Sequence, residues 1–174
     1  MATHSAAVDT FVGPLTVFSD GRSVVRLEWC TSAEAAVSAE TIPAEAAGQS
    51  DPILAEAAAQ LRAYFDGLLG DVDLPVDFGQ VSDIARIVLT TLADEVPAGT
   101  TVTYGQLAEA SGTGIPARAV GGIMGLNPIP IIVPCHRVVA GDGLGGYSGG
   151  LPGHELETKR RLLEFEGALP QPLF

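Results

Sequence analysis

The chain has 174 residues, enough for one large domain or two small ones. With 47% hydrophobic residues it can bury a core without disulfides or a structural metal. Its formal net charge of −12 excludes a generic polyanion-binding protein, which is normally basic, although residues 87–174 contribute only −3 of that charge.

The N-terminal segment predicts a small β structure. Two β-rich runs within residues 8–29 are separated by the turn signal Asp20-Gly21, which indicates a hairpin. Residues 31–50 are rich in alanine and glutamate, and we interpret them as a connection with one weak helix.

A helix is predicted after this connection. Asp51 is a good N-cap followed by proline, and apolar residues, including Leu68, then recur at helical spacing up to Gly70. Residues 71–79 predict a strand or a linker. We therefore expect a domain boundary between about residues 70 and 82, which separates domains 1–80 and 81–174.

The second domain is predicted to begin with a helix capped by Ser82. This helix is expected to end near Pro97. Its buried face is predicted to carry four apolar residues at helical spacing: Ile84, Ile87, Val88 and Leu92.

The next residues have the pattern of a helix-turn-helix. Short helical patterns cover Tyr104–Ala110 and 116–125, and a tight turn containing glycine joins them. Each glycine inside a helix costs about 1 kcal/mol. The three in the second helix therefore predict a close approach to another surface, either a second helix or the floor of a nucleic-acid groove.

The remaining residues alternate between buried and glycine-rich segments. Ile131–Val133 is predicted to be a buried strand that leads into Pro134 and Cys135. Seven glycines in residues 141–153 predict a loop. The last helix is expected over residues 154–167, with Gly167 at its C-cap.

The two cysteines, Cys30 and Cys135, are too few for a disulfide framework. The N-terminal residues carry no secretory signal, and no apolar run approaches the ~18 residues of a membrane span. We therefore expect a cytoplasmic protein with free thiols and no membrane partner.

Cys135 is the strongest candidate for chemistry. It precedes His136 and Arg137, and a neighbouring base or cation should hold the thiol pKa well below the ordinary value of ~8.5. The alternative is a small buried apolar residue, as free cysteines often are. Adjacent side chains on an extended chain point to opposite faces, so a turn or a bridging water must join Cys135 to His136.

Residues 131–139, with the sequence IIVPCHRVV, resemble the active-site signature of the O6-alkylguanine-DNA alkyltransferases, the methylated-DNA–protein-cysteine methyltransferases. Further segments resemble this family's helix-turn-helix, recognition helix, asparagine hinge, substrate loop and closing helix, in the right order. They are VTYGQLA at 102–108, ARAVGG at 117–122, NPIP at 127–130, GGYSGG at 145–150 and LLEFEG at 162–167.

The resemblance implies an RNase H-like α/β domain followed by a mostly helical domain with a winged-helix-like helix-turn-helix. It implies irreversible, stoichiometric transfer of the alkyl group from O6-alkylguanine in double-stranded DNA to Cys135, with the nucleotide flipped out. O4-alkylthymine stays open as a second substrate. A monomer without cofactors is expected.

The resemblance also assigns catalytic residues. Cys135 is the alkyl acceptor, His136 relays a proton through water, and Glu166 orients and polarises His136. Tyr104 protonates or hydrogen-bonds the guanine and rotates the 3′ phosphate. Asn127 holds the hinge between the recognition helix and the active-site strand.

Further positions are implied for DNA and for the base. Arg118 enters the stack in place of the flipped base, although an isolated arginine is ordinarily a solvated surface residue. The helix around it has few base readers, which suits a repair protein that must ignore sequence. Other DNA contacts are Thr103, Tyr104 and Ala117, and the base pocket is formed by Tyr147, Ser148 and Val138.

Other features depart from the family or have a plainer interpretation. About five residues near Pro152–Leu156 are inserted before the last helix. The run Lys159-Arg160-Arg161 is interpreted as a solvated helix face, with phosphate contact as the alternative. Some family members bind zinc, but His4 and Cys30 alone fall short of the usual four ligands, so we predict no metal.

Two other functions compete with alkyl transfer. The first is a non-enzymatic, lesion-binding alkyltransferase-like DNA module, whose known relatives lack the reactive cysteine. The second is a cysteine hydrolase that uses Cys135 and His136 and turns over many times. The number of turnovers per molecule separates the three functions.

Overall fold

The computed structural model describes residues 3–30, 40–41 and 50–170. The chain divides into two compact units, residues 1–79 and 80–174. Most of the weak helix expected within residues 31–50 lies outside the described residues. No helix among the described residues is long and apolar enough to cross a membrane.

The N-terminal unit is built on a small sheet. Its strands are β1 (His4–Val8), β2 (Leu15–Ser19), β3 (Val24–Glu28) and β4 (Glu40–Thr41), in the order β3-β2-β1-β4. The predicted hairpin is confirmed, since β2 and β3 are antiparallel and Asp20 accepts two backbone hydrogen bonds in the turn between them. Strand β1, which the sequence did not predict, pairs antiparallel with β2.

Helix α1 (Pro52–Phe65) lies against this sheet. The Asp51 cap is confirmed: its carboxylate accepts from the Leu54 N–H and also from the hydroxyl of Ser19, which lies in β2. The helix ends before the predicted Gly70, because Gly67 takes φ 74° and the Leu68 N–H turns back to the Ala63 carbonyl. Leu68 is therefore 81% exposed rather than part of the apolar face.

The second unit begins with α2 (Asp83–Glu95), which Ser82 caps as predicted. Its predicted apolar face is partly wrong, since Ile84 and Ile87 are 45% and 46% exposed. The buried residues do follow the helical spacing i, i+3, i+4, i+7, but the series starts at Ala85, one residue after the predicted start at Ile84. The buried residues are Ala85, Val88, Leu89 and Leu92.

The helix-turn-helix is confirmed as α3 (Tyr104–Ala110) and α4 (Ala117–Gly125), both packed against α2. Short strands β5 (Val102–Thr103) and β6 (Val138–Val139) pair in parallel beside them. The last helix, α5 (Glu155–Phe165), ends as predicted with Gly167 at φ 77°. The fold is thus a small N-terminal sheet unit and a helical C-terminal unit.

Candidate active site

Cys135 lies in a single turn of 3-10 helix, Cys135–Arg137, rather than at the end of a strand. The segment before it folds back on itself: the Val133 N–H donates to the Ile129 carbonyl, and Ile131 has φ 73°. The predicted strand at Ile131–Val133 is therefore wrong, although all three residues are buried. Its buried backbone groups are paired within a compact turn.

The Asn127 side chain holds this turn together. Its Nδ2 donates to the Val133 carbonyl at 2.8 Å, and its Oδ1 accepts from the Ile129 N–H at 3.0 Å. The amide also acts to lower the pKa of the Cys135 thiol. Asn127 follows α4 by two residues, so one side chain connects the end of that helix to the segment that precedes Cys135.

The electrostatic environment of Cys135 differs from the sequence expectation. Burial raises the pKa of Cys135 to about 11, although the Asn127 amide and the positive charge of Lys159 act in the opposite direction. The low pKa expected from His136 and Arg137 is therefore wrong, because desolvation of the thiolate outweighs its neighbours. At neutral pH the resting residue is a thiol.

His136, Arg137 and Glu166 form one buried cluster beside the thiol. The Glu166 carboxylate bonds His136 Nε2 at 2.8 Å and accepts from Arg137 Nε and Nη2 at 3.0 and 2.9 Å. Arg137 Nη1 donates to the Val96 carbonyl, just after α2. The cluster therefore joins the turn Cys135–Arg137 (the active-site turn) to the ends of two helices.

Protonation states in this cluster follow from its contacts. Burial acts to raise the pKa of Glu166, but the bonds and charges of His136 and Arg137 outweigh it and hold that pKa at about 2. Burial lowers the pKa of His136 against the opposing effect of Glu166. Among the described residues, His136 Nδ1 is buried and has no hydrogen-bond partner.

We expect Glu166→Gln to destabilise the second unit by about 3–5 kcal/mol, because it leaves the buried Arg137 guanidinium without its counter-charge. The double variant Arg137→Met/Glu166→Gln should recover most of that loss, since it removes both charges of the buried pair together. Denaturant titration followed by circular dichroism measures both, with Trp29 fluorescence reporting separately on the N-terminal unit.

The same ion pair predicts a pH dependence. The folded pKa of about 2 lies below the ordinary value of 4.5, so the pair stabilises fully above pH 4.5 and its contribution disappears as pH falls towards 2. Glu166→Gln should flatten this part of the stability profile, whereas Glu109→Gln, at an exposed position of the same unit, should not. Parallel profiles for all three proteins would contradict the ion-pair account.

A cavity of about 570 Å³ opens in front of Cys135, within the size range of small-molecule sites. It is lined by residues from α3, α4, the active-site turn and the glycine-rich loop. They are Tyr104, Ala117, Arg118, Gly121, Met124, Gly125, Cys135, Gly146, Tyr147 and Ser148. Of the described residues, Thr103 and Val138 were expected at the site but do not line this cavity.

Tyr104 packs against the glycine-rich loop. Its hydroxyl lies 3.4 Å from the Gly146 carbonyl, to which it donates. Burial raises its pKa, so the phenol keeps its proton at neutral pH. Gly145 has φ 70°, and a Cβ there would lie 2.8 Å from the Tyr104 hydroxyl. Only glycine therefore lets this loop approach Tyr104.

Helix α4 presents a bare, open face. Arg118 is exposed, and a Cβ added at Gly122 or Gly125 would meet none of the described atoms within 4 Å. Gly121, in contrast, faces helix α3, since a Cβ there would lie 3.9 Å from Tyr104 Cε1. The approach to a second helix is therefore met at Gly121, and a nucleic-acid groove at Gly122 and Gly125 stays a prediction. Thr103 caps the preceding helix α3 through a capping box with Gln106.

The sequence analysis missed Lys159. It was assigned to a solvated helix face with Arg160 and Arg161, but its side chain is fully buried whereas the two arginines are exposed. Helical spacing was the available signal, because Lys159 precedes the apolar Leu162 and Leu163 by three and four positions. Arg137 was expected only to act as a cation beside the thiol, and its buried ion pair with Glu166 was not predicted.

The two candidate metal ligands, His4 and Cys30, both belong to the N-terminal unit. His4 Nδ1 lies 3.1 Å from the Asp51 carboxylate, and Cys30 is a partly exposed free thiol. In the part of the chain that the structure describes, no group of three or more His, Cys, Asp or Glu side chains is placed to hold a metal ion. The expectation of no metal stays a prediction.

Family models match both units. Residues 4–78 match "6-O-methylguanine DNA methyltransferase, ribonuclease-like domain", and residues 83–168 match "6-O-methylguanine DNA methyltransferase, DNA binding domain". A methylated-DNA–protein-cysteine methyltransferase of Metallosphaera sedula is 37% identical over 158 residues, which is 90% of this chain and 88% of the relative.

Solved structures are similar along almost the whole chain. The crystal structure of the Mycobacterium tuberculosis O6-methylguanine methyltransferase has a TM-score of 0.78 and 34% identity, covering 99% of this chain and 96% of that one. A crystal structure of Mycobacterium tuberculosis OGT in complex with DNA has a TM-score of 0.77 and 36% identity, covering 95% of this chain and 93% of that one.

Proposed function

Since the chain belongs to the 6-O-methylguanine DNA methyltransferase family, we propose that it repairs DNA by moving the alkyl group of O6-alkylguanine irreversibly to Cys135. Its activity is that of a methylated-DNA–protein-cysteine methyltransferase, and each molecule acts once. One observation carries this proposal: Cys135 forms part of the cavity wall, and the next residue, His136, is buried and bonded to Glu166 at 2.8 Å.

The reaction is a displacement at a saturated carbon. The Cys135 sulfur forms a bond to the alkyl carbon while the bond from that carbon to O6 breaks, and the electron pair of the broken bond stays on the guanine. A thiolate is a strong nucleophile for such a carbon. The product thioether does not hydrolyse readily, so Cys135 is consumed.

The thiol must lose its proton at the moment of reaction, because its pKa is raised to about 11. We assign this task to His136. With Nε2 donating to Glu166, the neutral ring has its acceptor lone pair on Nδ1, and a water between Nδ1 and the Cys135 sulfur completes the relay. The Glu166 carboxylate then stabilises the imidazolium that forms.

The leaving guanine needs a hydrogen bond or a proton. Tyr104 lies in the cavity wall and remains protonated at neutral pH, so we assign it that role. Tyr147 and Ser148 line the same cavity and are placed to hold the base. Val138 does not line the cavity but is buried directly after the turn that contains Cys135, so we assign it an indirect role in shaping the pocket.

DNA is the partner, and we propose that α4 is the element that enters it. The target atom lies inside the base stack, so the nucleotide must be flipped into the cavity at a cost of a few kcal/mol. Arg118 is exposed at the cavity edge and is placed to occupy the vacated stack. The open face of α4 suits a shallow groove, with Ala117 beside it and Thr103 at the start of α3.

The finer description of the two units belongs to the same proposal. We interpret the N-terminal sheet unit as RNase H-like, because an antiparallel β3-β2-β1 meander carries a parallel fourth strand and a covering helix. We interpret the helical unit as winged-helix-like, with the glycine-rich loop after β6 as the wing. We also propose that the protein acts as a monomer and that its partner is duplex DNA carrying O6-alkylguanine.

Intact-mass spectrometry after incubation with an O6-methylguanine oligonucleotide tests the function. We expect one added methyl group per chain, located on Cys135 by peptide mapping, and no further repair after one equivalent. Zero transfer with retained binding would favour a lesion-binding module, and continued turnover would favour a cysteine hydrolase. Methylation of Cys30 instead would contradict the assignment of the acceptor.

A further inference from the structure

Lys159 is a buried cation bonded to two walls of the active site. Its Nζ donates to the Val138 carbonyl at 2.6 Å and to the Gly146 carbonyl at 2.8 Å. Val138 directly follows the turn that contains Cys135, and Gly146 lies in the glycine-rich loop that lines the cavity. The ammonium group therefore links the glycine-rich loop, at Gly146, to the residue that follows the active-site turn, Val138.

No carboxylate compensates this charge. Within residues 3–30, 40–41 and 50–170, no Asp or Glu side chain lies within ion-pair distance of Lys159, and Glu166 is already bonded to His136 and Arg137. A fully buried ammonium without a counter-ion is costly, so its presence needs an explanation. The nearby group that can acquire a negative charge is Cys135, since each group alters the pKa of the other.

We propose that Lys159 is a positioning residue that supplies the buried positive charge against which the Cys135 thiolate forms, while its hydrogen bonds hold the loop at Gly146. This inference rests on the proposed function of Cys135. It adds to that function a second activating group, separate from the His136–Glu166 relay.

Coupling between the amine and the thiol gives a distinctive pH profile. Burial lowers the pKa of Lys159 to about 8, and burial raises that of Cys135 to about 11. Below pH 8 the thiolate population rises about tenfold per pH unit. Above pH 8 the resting pair has already lost one proton, so moving the other from sulfur to nitrogen no longer depends on pH. The thiolate beside a neutral amine still increases with pH, so the reactivity of Cys135 should rise less than tenfold per pH unit just above pH 8.

The other ionisable groups around the thiol do not produce this bend. The pKa of His136 is lowered from its ordinary value and that of Tyr104 is raised, so neither changes charge between pH 7 and 9. Arg137 stays charged throughout and Glu166 stays ionised, because its pKa is about 2. Lys159 is thus the group around Cys135 whose titration falls in this range.

The experiment measures alkylation of Cys135 by iodoacetamide between pH 6 and 10, in full-length protein carrying Cys30→Ser so that one thiol reacts. The protein with Lys159 should show the bend near pH 8. Lys159→Met should react about tenfold more slowly at pH 7 and show no bend, because an opposite charge close to a thiolate shifts its pKa by at least about one unit. Arg160→Met, at the adjacent exposed position, should match the parent.

Lys159→Arg separates charge from packing and covers the case in which Lys159→Met does not fold. Arginine stays charged at every pH tested, so its rate at pH 7 should stay within a few-fold of the parent and continue to rise past pH 8. A bend that persists in Lys159→Arg, or a parent-like rate in folded Lys159→Met, would overturn the inference. Since iodoacetamide needs neither DNA nor alkylguanine, the outcome is independent of whether the proposed repair reaction occurs.

Discussion

Replacing Cys135 with alanine should abolish alkyl transfer, by roughly a millionfold on the scale seen when an essential nucleophile is removed from its enzyme. The reason is that the residues around it hold and move protons but offer no atom able to displace guanine from a saturated carbon. His136 is bonded to Glu166 and buried, and Tyr104 keeps its proton. DNA binding should persist, because Cys135 lies in the cavity wall rather than on α4.

Two further variants sharpen this result. Cys135→Ser should be almost as inactive, because an alcohol is far harder to ionise than a thiol and the site already penalises the anion. Cys30→Ala is the matched control, since it removes the other free thiol and should retain full transfer. Transfer of labelled methyl groups measures the reaction, and fluorescence anisotropy measures binding. Methyl transfer by Cys135→Ala would remove this residue from the mechanism.

Arg118→Ala should slow repair of duplex DNA by roughly ten- to a thousandfold. Flipping costs a few kcal/mol, and each 1.4 kcal/mol is about tenfold in an equilibrium. Loss of the side chain that fills the stack should therefore lower the population of the flipped state, and with it the repair rate. The free base O6-benzylguanine needs no flipping, and its transfer to Cys135 should hardly change. Single-turnover rates on the two substrates, measured side by side, test this selectivity.

Conservative and distant variants complete the comparison. Arg118→Lys should recover only part of the duplex rate, because lysine lacks the planar guanidinium. Arg160→Ala removes an exposed arginine from α5 and should leave both rates unchanged. Equal loss on both substrates in Arg118→Ala would indicate a folding defect, and no loss on either would indicate a solvated surface arginine. Both outcomes end the assignment of Arg118 to the vacated stack.

Local sequence signals predicted the elements that position the site. The Asp51 cap of α1, the Ser82 cap of α2 and the Gly167 end of α5 all lie where the residues indicated. The two helices of the helix-turn-helix also lie where the sequence predicted them. These features depend on residues within about one helical turn of each other, so the chain carries the information locally. The order of the motifs along the chain also indicated the family.

Electrostatics and burial at the site were decided by contacts between distant segments. Lys159 reaches Val138, and Arg137 reaches Val96, so neither environment can be read from neighbouring residues. The turn before Cys135 depends on the Asn127 amide, which occupies the backbone groups that a strand would need. The raised pKa of Cys135 has the same origin, because desolvation by the assembled unit outweighs the adjacent cations that the sequence displays.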